Sequence, residues 1–379
     1  MIKEKVTSYY KQAYGNTFEF VFSPGRINLI GEHTDYNEGF VFPAAIDKGI
    51  YAALGVGNGN KSNLHALDLN DTYSFSTSVI DTETGGSWKN YILGVVAEIA
   101  KTGRHVPNFN MVFSGDVPEG SGLSSSAALE NSVVFGLNSL FNLGIPKKEM
   151  IYISQKAEHN YVGVKCGIMD QYASMFGQKN NALLLDCRTI TSDPFFINFE
   201  NYGLLLINTN VKHNLANSAY NDRRRVCENV AQLLKIQALR DATIADLTAI
   251  KSNLTEDDFK KVLYVVQENE RVLKAAEALK RNDIRDFGRL MFETHEGLKN
   301  QYKVSCLELD FLVDMATEEP GVIGSRMMGG GFGGCTINIV HIDRKANFIN
   351  ETAKAYKNRF DKECSFYDVN IGNGTHLVS

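Results

Sequence analysis

The run Gly115-Asp116-Val117-Pro118-Glu119-Gly120-Ser121-Gly122-Leu123-Ser124-Ser125-Ser126-Ala127-Ala128-Leu129-Glu130 decides the reading of this chain. Glycines at 120 and 122 let backbone approach an anion closely. Three serines then open a helix, because Leu129, Val133, Val134, Leu137 and Phe141 recur behind them at helical spacing. A glycine-rich turn feeding a helix N-terminus presents free N–H groups and the positive end of the helix dipole, which suits a polyphosphate. A P-loop would place Lys before the final Ser or Thr. None stands here, so charge compensation has to come from a metal ion and from residues elsewhere.

Two further segments sharpen this. Pro24-Gly25-Arg26-Ile27-Asn28-Leu29-Ile30-Gly31-Glu32-His33-Thr34-Asp35-Tyr36-Asn37 packs an Arg, a Glu, a His and an Asp between apolar runs. It follows the period-two pattern of Phe18, Phe20 and Phe22 and precedes the strand-like Gly39-Phe40-Val41-Phe42. Polar groups converging at strand ends are typical of a small-molecule site. Arg326-Met327-Met328-Gly329-Gly330-Gly331-Phe332-Gly333-Gly334-Cys335 holds five glycines in six positions. Such a run suits neither a strand interior nor a helix, but it fits where backbone passes close to a ligand or to other backbone.

Together the three segments resemble the signature motifs of the GHMP kinases, and the Gly25–Tyr36 stretch has the Gly-Arg-x-Asn-x-Ile-Gly-Glu-His-x-Asp-Tyr form of the galactokinase family. The resemblance runs from about Phe22 into the C-terminal region. It implies an α+β, two-lobed GHMP kinase fold, with a ribosomal-protein-S5-like N-terminal lobe, a ferredoxin-like C-terminal lobe and the active site between them. The implied reaction is ATP-dependent phosphorylation of the anomeric hydroxyl of D-galactose, with Mg²⁺ as cofactor and galactose and ATP as the small-molecule partners.

Composition is compatible with this. The chain has 379 residues, enough for two lobes, with 44% hydrophobic and 22% charged residues. A net charge of −5 gives no basic field for nucleic acid. Arg223-Arg224-Arg225, the strongest basic cluster, reads as a solvated or ion-paired helix face. No apolar stretch approaches the ~20 residues that span a membrane. The start Met1-Ile2-Lys3-Glu4-Lys5 lacks the apolar core of a signal peptide, and Cys166, Cys187, Cys227, Cys306, Cys335 and Cys364 are too scattered for a zinc site. A cytoplasmic monomer with free thiols is the expectation.

Along the chain, Trp88, Tyr91, Ile92, Val95, Val96 and Ile99 share one helical face, and Asn108–Phe113 alternates like a strand. Ala182–Asp186 and Leu204–Ile207 read as buried strands. Ala216–Thr317 is mainly helical and free of Pro; strand signals return at Val322–Met328, Thr336–Val340 and Phe366–Val369. The lobes are set at 1–195 and 196–379, a soft division because no Pro/Gly-rich linker marks it and the family's last strand returns toward the first lobe.

Asp170, inside the apolar stretch Gly167-Ile168-Met169-Asp170, needs a partner or carries a perturbed pKa; an N-cap carboxylate is the plain alternative. The resemblance makes it the base for the sugar hydroxyl, with Arg26 beside it. By composition Glu158 is one more surface Glu on a helix; the resemblance makes it, with Ser126, a Mg²⁺ ligand. Glu32, His33, Thr34, Asp35, Gly167 and Tyr220 are the implied sugar-binding residues. Gly120, Ser121, Gly122, Leu123, Ser124, Ser125 and Ser126 are those implied for ATP. The chain departs from the family at Ala219, where many members carry Glu, and at Ala66, where many carry Ser near the nucleotide. A kinase for N-acetylgalactosamine or arabinose, or a non-catalytic galactose- and ATP-binding regulator, are the competing readings. The regulator is disfavoured by the retention of Arg26, Glu158 and Asp170.

Overall fold

The structure is a computed structural model describing residues 1–80, 87–118, 120–211 and 216–378, with backbone alone over 216–220. In chain order the strands are β1 (Glu19–Asn28), β2 (Phe40–Val41), β3 (Pro43–Val56), β4 (Ser62–Ala66), β5 (Asp71–Phe75), β6 (Phe109–Gly115), β7 (Asn181–Asp186), β8 (Thr191–Phe196), β9 (Tyr202–Asn208), β10 (Val322–Met327), β11 (Cys335–His341), β12 (Ser365–Val369) and β13 (His376–Leu377). The helices are α1 (Ile2–Tyr14), α2 (Lys89–Lys101), α3 (Ser125–Phe141), α4 (Lys147–Ala157), α5 (Met169–Phe176), α6 (Ala216–Leu234), α7 (Ile244–Ala249), α8 (Glu256–Lys280), α9 (Ile284–Gly297), α10 (Leu307–Glu318) and α11 (Ile342–Phe360).

A six-stranded sheet, ordered β13-β1-β3-β6-β4-β5, supports the first lobe. Its pairs are antiparallel except β4 with β6. The apolar stripes of α2 and α3 (Ile92, Val95, Val96, Ile99; Val133, Val134, Leu137) fill one face. Val6 and Tyr10 of α1 cover the other, against Phe20, Ala53 and Val112. The alternating run at Asn108–Phe113 therefore becomes an interior strand, β6, buried on both faces.

A four-stranded antiparallel sheet, β10-β11-β9-β12, carries the second lobe. Leu205 and Ile207 of β9 pack on one side with Leu312, Phe348 and Tyr356. Leu204, Leu206, Ile337 and Ile339 pack on the other with Phe287, Leu290 and Met291, in a cluster that continues into Ile27, Leu29 and Phe42 of the first lobe. The lobes thus share core. A small sheet, β2-β7-β8, ends at Phe196 before β9 begins in the other lobe. The last strand, β13, pairs Val21 with Leu377 and returns the chain to the first sheet. No helix among the described residues is long and apolar enough to cross a membrane.

Candidate active site

β1 carries Arg26 just past a register shift between Pro24 and Arg26, a bulge of the kind that re-aims a side chain. The guanidinium, 4% exposed as a residue, meets Asp170 at two points: Nε lies 2.7 Å from one carboxylate oxygen and Nη2 2.7 Å from the other. Arg26 also donates to the Gly122 carbonyl, and its own N–H donates to the Leu123 carbonyl at 3.0 Å. The Ser124 hydroxyl donates to Asp170. Asp170 sits in the first turn of α5 without capping it, so the N-cap alternative is set aside: its carboxylate is turned to Arg26 and Ser124.

After β1 the chain turns at Gly31, whose φ of +97° and closeness to the Phe40 carbonyl exclude a side chain. The turn is held from the second lobe. Glu268 accepts from the Gly31 N–H at 2.9 Å, Tyr264 donates to the Glu32 carbonyl at 3.1 Å, and Asn269 accepts from the Phe40 N–H at 2.9 Å. The fully buried Arg326 donates to the carbonyls of Leu29 and Asn28 and lies 3.0 Å from Glu32 Oε1. The Gly329 N–H reaches that same oxygen at 2.9 Å.

A cavity of about 140 Å³ opens here, lined by Arg26, Glu32, His33, Asp35, Glu158 and Asp170 together with Val164, Cys166, Met169, Gly329 and Gly330. Six expected site residues from separate parts of the chain therefore meet. Gly167 abuts them: a Cβ there would fall 1.8 Å from Asp35 Oδ2. Thr34 is placed differently from these six. Its hydroxyl lies 2.9 Å from the Gly31 carbonyl and 2.6 Å from the Phe40 carbonyl, so it closes the turn and lies outside the cavity lining. The side chain of Tyr220 falls outside the described residues.

Electrostatically the cavity is acidic, with four carboxylates and one guanidinium in its lining. Burial and the charge of Asp170 push Asp35 up to about 7. Burial, helped by Arg223, drives His33 down to about 3, so its imidazole is neutral. Glu158, expected from composition on a wet helix face, is 8% exposed at the start of a wide π-type turn, Glu158–Val162, a feature common at functional sites. Burial and Asp170 push it up to about 7 as well.

Among the described residues no group of three or more His, Cys, Asp or Glu side chains is arranged to hold a metal ion, but a buried pair of carboxylates stands beside the cavity. Gln171 Nε2 bridges the Glu158 carboxylate at 3.1 Å and that of Glu130 at 3.3 Å. Glu130 is fully buried, and its other oxygen has no hydrogen-bond partner among the described residues. The charges of Glu158 and Asp170 add to burial in pushing the Glu130 carboxyl up, a strain that added positive charge would relieve. Glu130 and Gln171 were not singled out from sequence. The available signal was a charged residue on the apolar side of α3, one turn after Ser126.

A second cavity of about 240 Å³ flanks the start of α3, lined by Ala66, Asp68, Leu69, Trp88, Tyr91, Phe113, Ser125, Ser126, Leu129 and neighbours. The helix begins at Ser125, one residue later than the serine run suggests, because Ser124 is left-handed (φ 58°, ψ 54°). That conformation divides the serines: Ser124 faces Asp170, while Ser125 and Ser126 face the second cavity. Gly120 (φ +66°) and Gly122 (φ +73°) shape the preceding loop, which lies against the 329–334 loop; a Cβ at Gly329 would sit 3.4 Å from Gly122 Cα. Ser121 spends its hydroxyl and, at 3.4 Å, its N–H on the Pro118 carbonyl, and Leu123 is core with its carbonyl taken by the Arg26 N–H.

Comparison with known proteins agrees. The galactokinase galactose-binding signature matches residues 8–56, the GHMP kinases N terminal domain matches 90–178 and the GHMP kinases C terminal matches 275–358. A galactokinase of Clostridium acetobutylicum is 41% identical over 100% of this chain and 99% of its own length. The chain belongs to the galactokinase family of the GHMP kinases. Another galactokinase, from Fusobacterium nucleatum, is 40% identical over 96% of both chains. The crystal structure of Lactococcus lactis galactokinase complexed with galactose is similar at a TM-score of 0.95 and 34% identity, covering 99% of each chain. A mevalonate kinase, 19% identical with a TM-score of 0.66, shares the fold. The two-lobed GHMP fold implied by the motifs is thus the observed one. The galactokinase signature spans the turn that carries Glu32, His33 and Asp35.

Proposed function

We infer that this chain transfers the γ-phosphoryl group of ATP to the anomeric hydroxyl of D-galactose, giving α-D-galactose 1-phosphate. The observation that carries this reading is the meeting of a small polar cavity with the start of α3, through the contact of Ser124 with Asp170. Membership of the galactokinase family supports the choice of sugar.

In this account Asp170 accepts the proton of the reacting hydroxyl, and Arg26 orients that carboxylate through two hydrogen bonds and offsets charge on the transferring group. Loose phosphoryl-transfer transition states need little base assistance, so positioning carries much of the rate. Glu32 and Asp35 accept hydrogen bonds from sugar hydroxyls, with His33 beside them. The backbone of Gly120–Ser124 and the hydroxyls of Ser125 and Ser126 receive the phosphates, and the cavity with Trp88 and Tyr91 receives the base. Ser126 and Glu158 are the protein groups that would hold Mg²⁺, which when bound neutralises phosphate charge. We further propose a cytoplasmic monomer divided near residues 195/196.

A coupled ADP-release assay across free sugars tests the reading. Galactose is expected to give the highest kcat/KM among galactose, glucose, N-acetylgalactosamine and arabinose. A better rate with another of the four would replace the sugar, and no release with any would remove the kinase.

A further inference from the structure

Behind the sugar cavity lies a chain of hydroxyl groups that no catalytic role accounts for. Tyr302, fully buried in the wide turn Leu298–Tyr302 after α9, places its hydroxyl 2.7 Å from that of Tyr36. The Tyr36 hydroxyl lies 2.9 Å from Nδ1 of His33. The His33 and Tyr302 rings also touch, with centroids 4.9 Å apart. The Tyr302 hydroxyl has one other hydrogen-bond neighbour among the described residues, the buried thiol of Cys227, 3.7 Å away.

These distances set the direction of the protons. A hydroxyl oxygen at 2.7 Å is a far better acceptor than a sulfur at 3.7 Å, so the Tyr302 O–H points to Tyr36. Tyr36 then cannot aim its own proton back at Tyr302, and it donates to Nδ1 of His33. A neutral imidazole carries one N–H, so a ring that accepts at Nδ1 holds its proton at Nε2. Burial among the cationic Arg223 and Arg326 keeps the ring neutral.

We propose that Tyr302 is a positioning residue of the sugar site: through Tyr36 it fixes the His33 tautomer and the plane in which His33 presents Nε2–H to the cavity. The proposal rests on the reading of His33 as a sugar contact, and it brings a residue of the helical region into the recognition of a ligand bound by a turn near β1. Phe at 302 keeps the ring contact but frees Tyr36 to turn, and the tautomer is then no longer imposed.

The test is ¹⁵N NMR of histidine-labelled protein without ligand, with His33 assigned by comparison with His33→Gln. The wild-type ring is expected to be protonated at Nε2. A ring protonated at Nδ1, or doubly protonated at pH 7, overturns the proposal whatever the enzyme phosphorylates. Tyr302→Phe and Tyr36→Phe are expected to give mixed tautomers and to raise the galactose KM about fivefold, the effect of one lost hydrogen bond. The ATP KM and kcat should stay within twofold. An unchanged tautomer in Tyr302→Phe, or equal losses in both KM values, overturns it as well. The spectra are read without substrate, so they stand apart from any failure of the galactose assignment.

Discussion

Arg26 and Asp170 face each other in a two-point ion pair, both nitrogen–oxygen distances 2.7 Å, although 144 residues separate them in the chain. A planar guanidinium makes this fork and an ammonium does not. Arg26→Lys is therefore expected to lower kcat by roughly 10- to 100-fold while the fold is retained, and Asp170→Asn by the ~10²–10⁴ typical of a positioned base. Turnover of either variant within threefold of wild type, at saturating substrates, would remove the pair from the mechanism.

Asp35 gives a pH prediction. Its carboxyl is pushed up to about 7 by burial and by the charge of Asp170, so the folded protein binds this proton more tightly than the unfolded chain. Its contribution to stability is whole below the ordinary Asp range and is lost as pH rises through about 7. Melting temperature without ligand should fall between pH 5 and pH 8. Asp35→Asn should flatten part of that slope, gain stability at pH 8, and raise the galactose KM roughly tenfold. A variant with the wild-type slope would show that Asp35 is not held in this way.

Gly167→Ala separates the two substrates. The added Cβ would meet Asp35 Oδ2 at 1.8 Å, so Asp35 has to move. The galactose KM should rise and the ATP KM should not. Trp88→Ala should do the reverse, by roughly tenfold if the indole carries the ~1–3 kcal/mol usual for a base on an aromatic face. Steady-state kinetics with each substrate varied in turn decides both, and crossed outcomes would mean the two cavities are assigned to the wrong ligands.

Arg326→Ala is a stability test. The guanidinium is fully buried and serves Glu32 and three backbone carbonyls, those of Asn28, Leu29 and Met327. Removing it strands the buried Glu32 carboxylate without its cation, at a cost of about 3–5 kcal/mol. Denaturant unfolding should show a loss of that size, and a loss below about 1 kcal/mol would contradict the buried pairing.

The sequence carried the strands and helices whose residues are continuously or periodically apolar, such as β9, α2 and α3, because burial of one face demands that pattern. It also carried, as motifs, residues that the fold brings together around one cavity, Arg26, Glu32, His33, Asp35 and Asp170. It did not carry Glu158 as a buried group, since its neighbours Lys156, His159 and Asn160 have the composition of a wet helix; the π-type turn that folds it inward leaves no periodic mark. Nor did it carry the place of the Thr34 hydroxyl: polar residues of one motif look alike, and only the turn geometry sets this one against the Gly31 and Phe40 carbonyls. Strand β13 is two residues long and exposed, too short for any pattern. The supports of the sugar turn, Tyr264, Glu268, Asn269 and Arg326, lie some 230 to 300 residues from their partners, and tertiary packing alone brings them there.

The most direct test of the central claim is the position of the transferred phosphoryl group. Protein, galactose, ATP and Mg²⁺ are combined, and the sugar product is read by phosphorus-coupled proton NMR. The account predicts one product, its phosphorus coupled to the α-anomeric proton. Phosphorus at another carbon of galactose, or inorganic phosphate in place of a sugar phosphate, would contradict it.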